Sequence, residues 1–268
     1  MNRNLYTKEL KRNRKNLLIW SGIVVGFTFM IVSLFPYMQG MGAELGTLME
    51  SMPEEMSKAF GMEADSWSNI MGFYKTYYGV YIIVLMAIYT GSTGAQILSK
   101  EERERTAEFL LTQPISRSEI VWSKIASLYT LSGFIFLAQI IVAALGMAVF
   151  SDKAIDWSDF LIVHIHGLFL VIFFTAIGVL ISMFGTPKKN FMGPVVGVVF
   201  GCYILNALSM ATSSVDWLGY LTPFHYMRFD VTAADFGFEW LSAIILTGIS
   251  FGILWFCNRI YAGKDVNA

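Results

Sequence analysis

The sequence predicts an all-α integral membrane protein with six transmembrane helices and both termini in the cytoplasm. Three observations predict it. Hydrophobic residues make up 55% of the 268 positions and charged residues 15%, against about 45–50% and about 25% in soluble domains. The charges are clustered and leave apolar tracts of about 20 residues, the length a helix needs to cross roughly 30 Å of hydrocarbon. The tracts are continuously apolar rather than alternating over about ten residues as barrel strands do, and a helix satisfies its own backbone groups inside hydrocarbon. The chain reads as a single transmembrane domain over 1–268.

The six tracts cover residues 17–37, 77–99, 125–150, 160–184, 192–212 and 240–260. With both termini inside, the inner segments hold fifteen of the 19 Lys and Arg residues, and only Lys58, Lys75, Lys153 and Arg228 fall outside. This is the asymmetry of the positive-inside rule. Trp20, Trp122 and Trp255 fall near inner ends and Trp157, Trp217 and Trp240 near outer ends, as amphipathic rings at the headgroup level should. The first tract is too long for a cleaved leader and follows a charged arm of 16 residues with no small-residue cleavage site after it.

The arm, 1–16, is basic, with Leu5, Leu10 and Leu17 as apolar points. It reads as an amphipathic helix on the inner surface, where Lys and Arg meet anionic headgroups. The outer loop, 38–76, carries Met38, Met41, Met49, Met52, Met56, Met62 and Met71. Thioethers are soft metal ligands, but Leu45, Leu48, Met49 and Met52 follow helical spacing, so the expectation is an adaptable apolar face and no metal site. Cys202 and Cys257 lie at different depths and read as buried apolar side chains.

Residues 100–124 are the densest charged block between two spans. Ser99 with Glu102 has the pattern of a capping box, and Glu101, Glu102 and Glu104 suit the positive end of a helix starting there. Leu110 and Leu111 continue an apolar face, Pro114 disfavours helix at Gln113, and Ser116 with Glu119 launches a second helix that runs into the third span. A short helix, a corner and another helix anchored at both ends in membrane cannot move independently of the spans. A solvated loop with good caps is the alternative, and a 25-residue excursion between membrane helices is long for that.

Within the spans, Gly193, Gly197 and Gly201 repeat every four residues, as do Gly22 with Gly26 and Gly248 with Gly252. Small residues at this interval let helix backbones approach, either inside one subunit or across a seam between subunits. Thr90, Ser92, Thr93 and Gln96 make the inner half of the second span polar and small, and Gln139 and Asn206 are further mid-span polar residues. They either line a pathway or bond neighbouring helices. His164 and His166 read as interfacial or helix-contact residues, with a proton or metal role as the alternative; two apart on a helix, they point to different sides, which disfavours a shared metal. No Asp, Glu, Lys or Arg lies deep in a tract, which argues against an ion-coupled secondary transporter. The G-x-x-x-x-G-K-[ST] phosphate loop is absent: Gly263-Lys264-Asp265 lacks the preceding glycine and the hydroxyl.

At Glu101, Glu102, Thr106, Glu108, Leu110, Leu111, Pro114, Ser116 and Arg117 the chain resembles the first cytoplasmic loop of ABC-2-type exporter permeases, whose pattern runs glutamates, Gly-Thr, Leu-Leu, a proline and Ser-Arg. Arg105 stands where that family has glycine. The run 221–226, LTPFHY, and the large outer loop also look like the family, the loop like its bacitracin-type branch. The resemblance implies an elbow helix before the first span and a coupling helix between spans 2 and 3. It also implies short re-entrant segments in the outer region 213–239. It implies that Glu101, Glu102, Arg105, Thr106, Glu108, Pro114, Ser116 and Arg117 contact a separate ABC ATPase subunit. ATP and Mg would sit on that partner, with no cofactor and no catalytic residue on this chain. It further implies a second permease copy or paralogue and a bacterial cytoplasmic membrane; the lipid bilayer is the other partner, and no nucleic acid is expected. The competing expectation is a non-transporting anchor, sensor or assembly factor with the same fold.

Overall fold

The computed structural model describes residues 1–41, 47, 69–104, 106, 110, 112–184, 191–227, 229 and 236–263, without the side chain of Glu102. Arg105, Glu108, Leu111, most of the outer loop with Met49, Met52, Met56 and Met62, the turn at Pro187–Lys189, and Arg228 lie outside the described residues.

Helix α1 (Arg3–Arg12) is capped by Asn2, whose side-chain oxygen accepts from the Asn4 and Leu5 amides at 3.0 and 3.1 Å. A break at Asn13 separates it from α2 (Arg14–Gly40), the first span. The second span is composite. It comprises α3 (Ile70–Tyr77), a π-helical turn (Tyr78–Ile82) and α4 (Ile83–Ile97). It therefore begins seven residues before the expected start at Tyr77. Asn69 caps it by accepting from the Gly72 amide at 2.7 Å, and Ile70–Tyr74 are buried, so packing carries the helix beyond the apolar tract. A short α5 (Lys100–Arg103) follows, then α6 (Arg117–Phe150), α7 (Trp157–Phe184), α8 (Met192–Ala211), a 3₁₀ segment (Ser213–Leu221) and α9 (Trp240–Gly263). Among the described residues, six helices are thus long and apolar enough to cross a membrane.

α4 is the hub. It packs most extensively on α7 and also touches α6, α8 and α2. α2 lies on α6, and α9 on α7 and α6. Coverage is uneven: 72% of the second span's apolar window is buried, but only 11% of the corresponding window of α8. A large core joins α2, α3, α4, α6 and α7. A second cluster sits at the end where α1, α5 and the start of α6 meet; Leu5, Ile97, Leu110, Ile120, Leu254 and Tyr261 belong to it.

After α8 the chain turns back into the bundle. Phe224 is buried against Phe174 and Tyr203, with ring centroids 5.6 and 5.9 Å apart. Phe174 lies seventeen residues along α7 from Trp157, about 25 Å at 1.5 Å per residue. Thr222 and Met227 are buried with it.

Candidate functional site

The elbow between α4 and α6 is built from backbone bonds outward. The Arg103 amide donates to the Ser99 carbonyl at 3.1 Å, Thr106 to Glu101 at 2.9 Å and Leu110 to Thr106 at 3.1 Å. At the corner Gln113 donates to Leu110 at 3.4 Å and Ile115 to Gln113 at 2.8 Å, with Pro114 exposed between them. The expected second capping box is present. The Glu119 amide donates to Ser116 Oγ at 3.2 Å, and the Ser116 amide to Glu119 Oε2 at 3.1 Å. Two orphan donors at the start of α6 are satisfied reciprocally. Leu110 and Ile115 turn inward onto the smaller apolar cluster, leaving Thr112, Gln113, Pro114 and Ser116 as an exposed tip.

The inward side of the elbow is charged. Lys124 is fully buried; its ammonium donates to the Ile97 carbonyl at 2.7 Å and to Glu101 Oε2. Arg12 of the arm pairs with Glu104 and reaches Glu101 at 4.0 Å. Glu9, also fully buried, lies 3.7 Å from the Lys100 ammonium. Burial pushes the Lys100 ammonium below its ordinary value, and the Glu9 carboxylate partly restores it. Two further bonds seat the arm on α6: the Asn2 amide donates to Ser123 Oγ at 2.7 Å, and the Tyr6 and Thr130 hydroxyls lie 2.9 Å apart. The arm therefore lies on protein through Leu5, Tyr6 and Glu9, and shows Arg3, Lys8, Lys11 and Arg14 to the surroundings.

The structure sorts the sequence-derived residues by environment. Thr106, Pro114 and Ser116 are exposed, and Arg117, half-buried, donates to the Ala262 carbonyl of α9 at 3.4 Å. Glu101 instead faces inward, 4% exposed, with its carboxylate taken by Lys124; it holds the elbow's shape rather than its surface. Lys124, Glu9 and Arg12 were not singled out from sequence. Two of the three carry a local signal. Glu9 is the sole acid of the arm, and Lys124 follows Ile120 and Val121 on an otherwise apolar helical face.

In the spans, a hypothetical side chain at Gly193, Gly197, Gly201, Gly22, Gly26, Gly248 or Gly252 meets nothing within 4 Å among the described residues. The close approaches use other glycines. A Cβ on Gly178 would lie 2.8 Å from Gly91 Cα, and one on Gly94 3.0 Å from the Thr175 carbonyl. The α4–α7 contact is thus backbone on backbone.

Thr90, Ser92 and Thr93 are buried, and their hydroxyls donate to the carbonyls of Ala87, Tyr89 and Tyr89 at 3.3, 3.1 and 2.8 Å; Gln96 donates to Ser92 at 3.1 Å. Neighbouring helices are mostly not their partners, though Asn16 reaches Thr93 at 3.4 Å. Asn206 is half-buried and donates to Met210 Sδ at 3.5 Å. Gln139 belongs to a buried relay: its amide donates to the Tyr74 hydroxyl at 2.6 Å, which lies 3.0 Å from His164 Nε2, while His164 Nδ1 lies 2.7 Å from the Phe160 carbonyl. His166 faces away from it, towards Phe238 and the Glu239 amide. Among the described residues no group of three or more His, Cys, Asp or Glu is placed to hold a metal.

Sequence comparison adds a family to these six spans. The family model described as ABC-2 family transporter protein matches residues 3–266. The chain belongs to the ABC-2 transporter family. A relative in Bacillus subtilis (strain 168), the uncharacterized membrane protein YdbK, is 27% identical over 224 residues, 78% of this chain and 88% of that protein. The ABC-2 match covers the arm, the elbow and all six spans, so none of them is an appendage to the family's unit. It makes this chain a multi-pass membrane component of a transporter family whose membrane subunits are typically non-catalytic.

Proposed function

We propose that this ABC-2 protein is the permease subunit of an ATP-driven exporter in a bacterial cytoplasmic membrane. In this reading it works with a separate ABC ATPase subunit, which binds ATP and Mg, and with a second copy of itself or a paralogue. The observation that carries the reading is the elbow's two-sidedness. Its tip (Thr112, Gln113, Pro114 and Ser116) is exposed, while its inner side is fixed to α1, α4 and α6 by Leu110 and the Lys124–Glu101 pair. A protein docking on that tip pushes on three membrane-linked helices at once. Thr106, Pro114 and Ser116 are the contact residues favoured by exposure, with half-buried Arg117 beside them; Glu102 and Glu108 are further contacts proposed from the family pattern, and Arg105 one proposed from its place between them.

α2 and α8 flank α4, and both are sparsely covered. The open Gly193–Gly197–Gly201 face supports a seam with the second permease. α4 and its polar inner half (Thr90, Ser92, Thr93 and Gln96) would then border the substrate path, with Gln139 and Asn206 deeper along it. The large outer loop keeps the bacitracin-type branch as the finer assignment.

The test is co-purification of the chain with a candidate ABC ATPase subunit from the same genome, using wild type and a Thr106→Arg/Arg117→Glu variant. The expected result is a stable wild-type complex with nucleotide-dependent transport, and loss of ATPase binding in the variant with membrane insertion unchanged. ATPase binding that survives the variant removes the assigned contact. A bound ATPase without transport favours the anchor or sensor role.

A further inference from the structure

The elbow contains a fully buried lysine that the exposed contact surface does not use. Lys124 sits two turns into α6 with Ile120, Val121 and Ile125 buried around it. A desolvated ammonium is costly unless its donors are satisfied. Here one donor goes to the carbonyl of Ile97, the last residue of α4, at 2.7 Å, and another to Glu101 on α5. The first bond places a cation at the negative end of a helix, where unsatisfied carbonyls gather. Glu101 in turn is approached by Arg12 of the arm at 4.0 Å, and Arg12 also holds Glu104. One side chain therefore links the end of the second span, the first turn of the elbow and the start of the third span.

We propose that Lys124 is the positioning residue of the elbow: its bonds to Ile97 and Glu101 make α4, α5 and α6 move as one body, so that displacement of the exposed tip reaches the spans. The inference rests on the function proposed above for its consequence in transport, but the rigidity itself belongs to this chain alone. The apolar cluster beneath Leu110 is non-directional and permits sliding. The Lys124 bonds are directional and break if α5 shifts by an ångström or two. The arm adds a second brace through Glu9–Lys100 and Arg12–Glu104.

The experiment compares wild type, Lys124→Arg, Lys124→Met and the double variant Lys124→Met/Glu101→Leu in lipid nanodiscs. The double variant removes both buried charges, so the unpaired-charge penalty that endangers folding of Lys124→Met is absent. Amide hydrogen exchange over residues 98–104 is read against exchange in α7. The expected result is at least a tenfold faster exchange in the elbow of the double variant, an unchanged α7, and near-wild-type protection in Lys124→Arg, whose guanidinium can reach the same two acceptors. Unchanged exchange in the double variant overturns the inference. With the ATPase added, the double variant should still bind it while nucleotide-dependent transport falls at least tenfold; full transport in a variant with a loosened elbow also overturns it. A wild-type chain that binds no ATPase defeats the proposed function instead, and the exchange result still decides the joint.

Discussion

Two sets of glycines in this protein have opposite uses. Gly91, Gly94 and Gly178 bring α4 and α7 into backbone contact, with no room for a Cβ. Gly193, Gly197 and Gly201 on α8 meet nothing among the described residues, although their four-residue repeat is the more regular of the two. The difference teaches that a small-residue repeat reports a face made for close approach and not which molecule approaches. The α4–α7 face found its partner in the same chain; the α8 face has none among the described residues, and the seam proposed above is what would cover it.

The most damaging way to probe that comparison is Gly178→Leu. The new side chain would strike the Gly91 backbone, which cannot swing aside, and the expected loss is on the order of 3 kcal/mol. It is measured as a fall in thermal unfolding temperature in detergent. A tolerated Gly178→Leu would mean the α4–α7 contact is looser than described. Gly197→Leu is the matched control on α8. It should change monomer stability by less than about 0.5 kcal/mol while abolishing self-association measured by cross-linking in membranes. If instead it unfolds the monomer, the open face is an internal one.

A smaller effect sharpens the contrast inside the chain. Gln139→Leu removes the donor to the buried Tyr74 hydroxyl, leaving the Tyr74–His164 bond in place; the expected cost is about 1–2 kcal/mol, read in the same unfolding assay. No change would show that the relay does not help hold α3, α6 and α7 together. The smallest effect belongs at the elbow. Ser116→Ala removes one cap bond from the start of α6, worth about 1 kcal/mol locally, and should speed amide exchange at residues 117–120 without altering global unfolding. An unchanged exchange rate would mean that the apolar cluster alone fixes that corner.

Much of this was legible in the residues. The Ser116–Glu119 box, the Pro114 corner and the direct run of α6 into the third span follow from local chemistry, because a cap is satisfied within four residues of itself. The histidines were separable for the same reason: an offset of two on a helix dictates different neighbours. The inward turn of Glu101 was not legible. Its partner Lys124 lies 23 residues away, and a glutamate in a charged run gives no sign of which side it faces. The arm likewise read as a surface helix because its basic residues dominate; the buried Glu9 and its Lys100 partner emerge only when α1 lies on α6.

The sequence by itself determined the class of this protein, its six spans, its sidedness bias and the capped corner, since hydrophobic length, charge asymmetry and caps act within one segment. Tertiary structure alone decided which glycines touch, which charges are buried and how far the second span extends. Those outcomes depend on distances between segments far apart in the chain, and pairwise proximity is not written in any local run of residues.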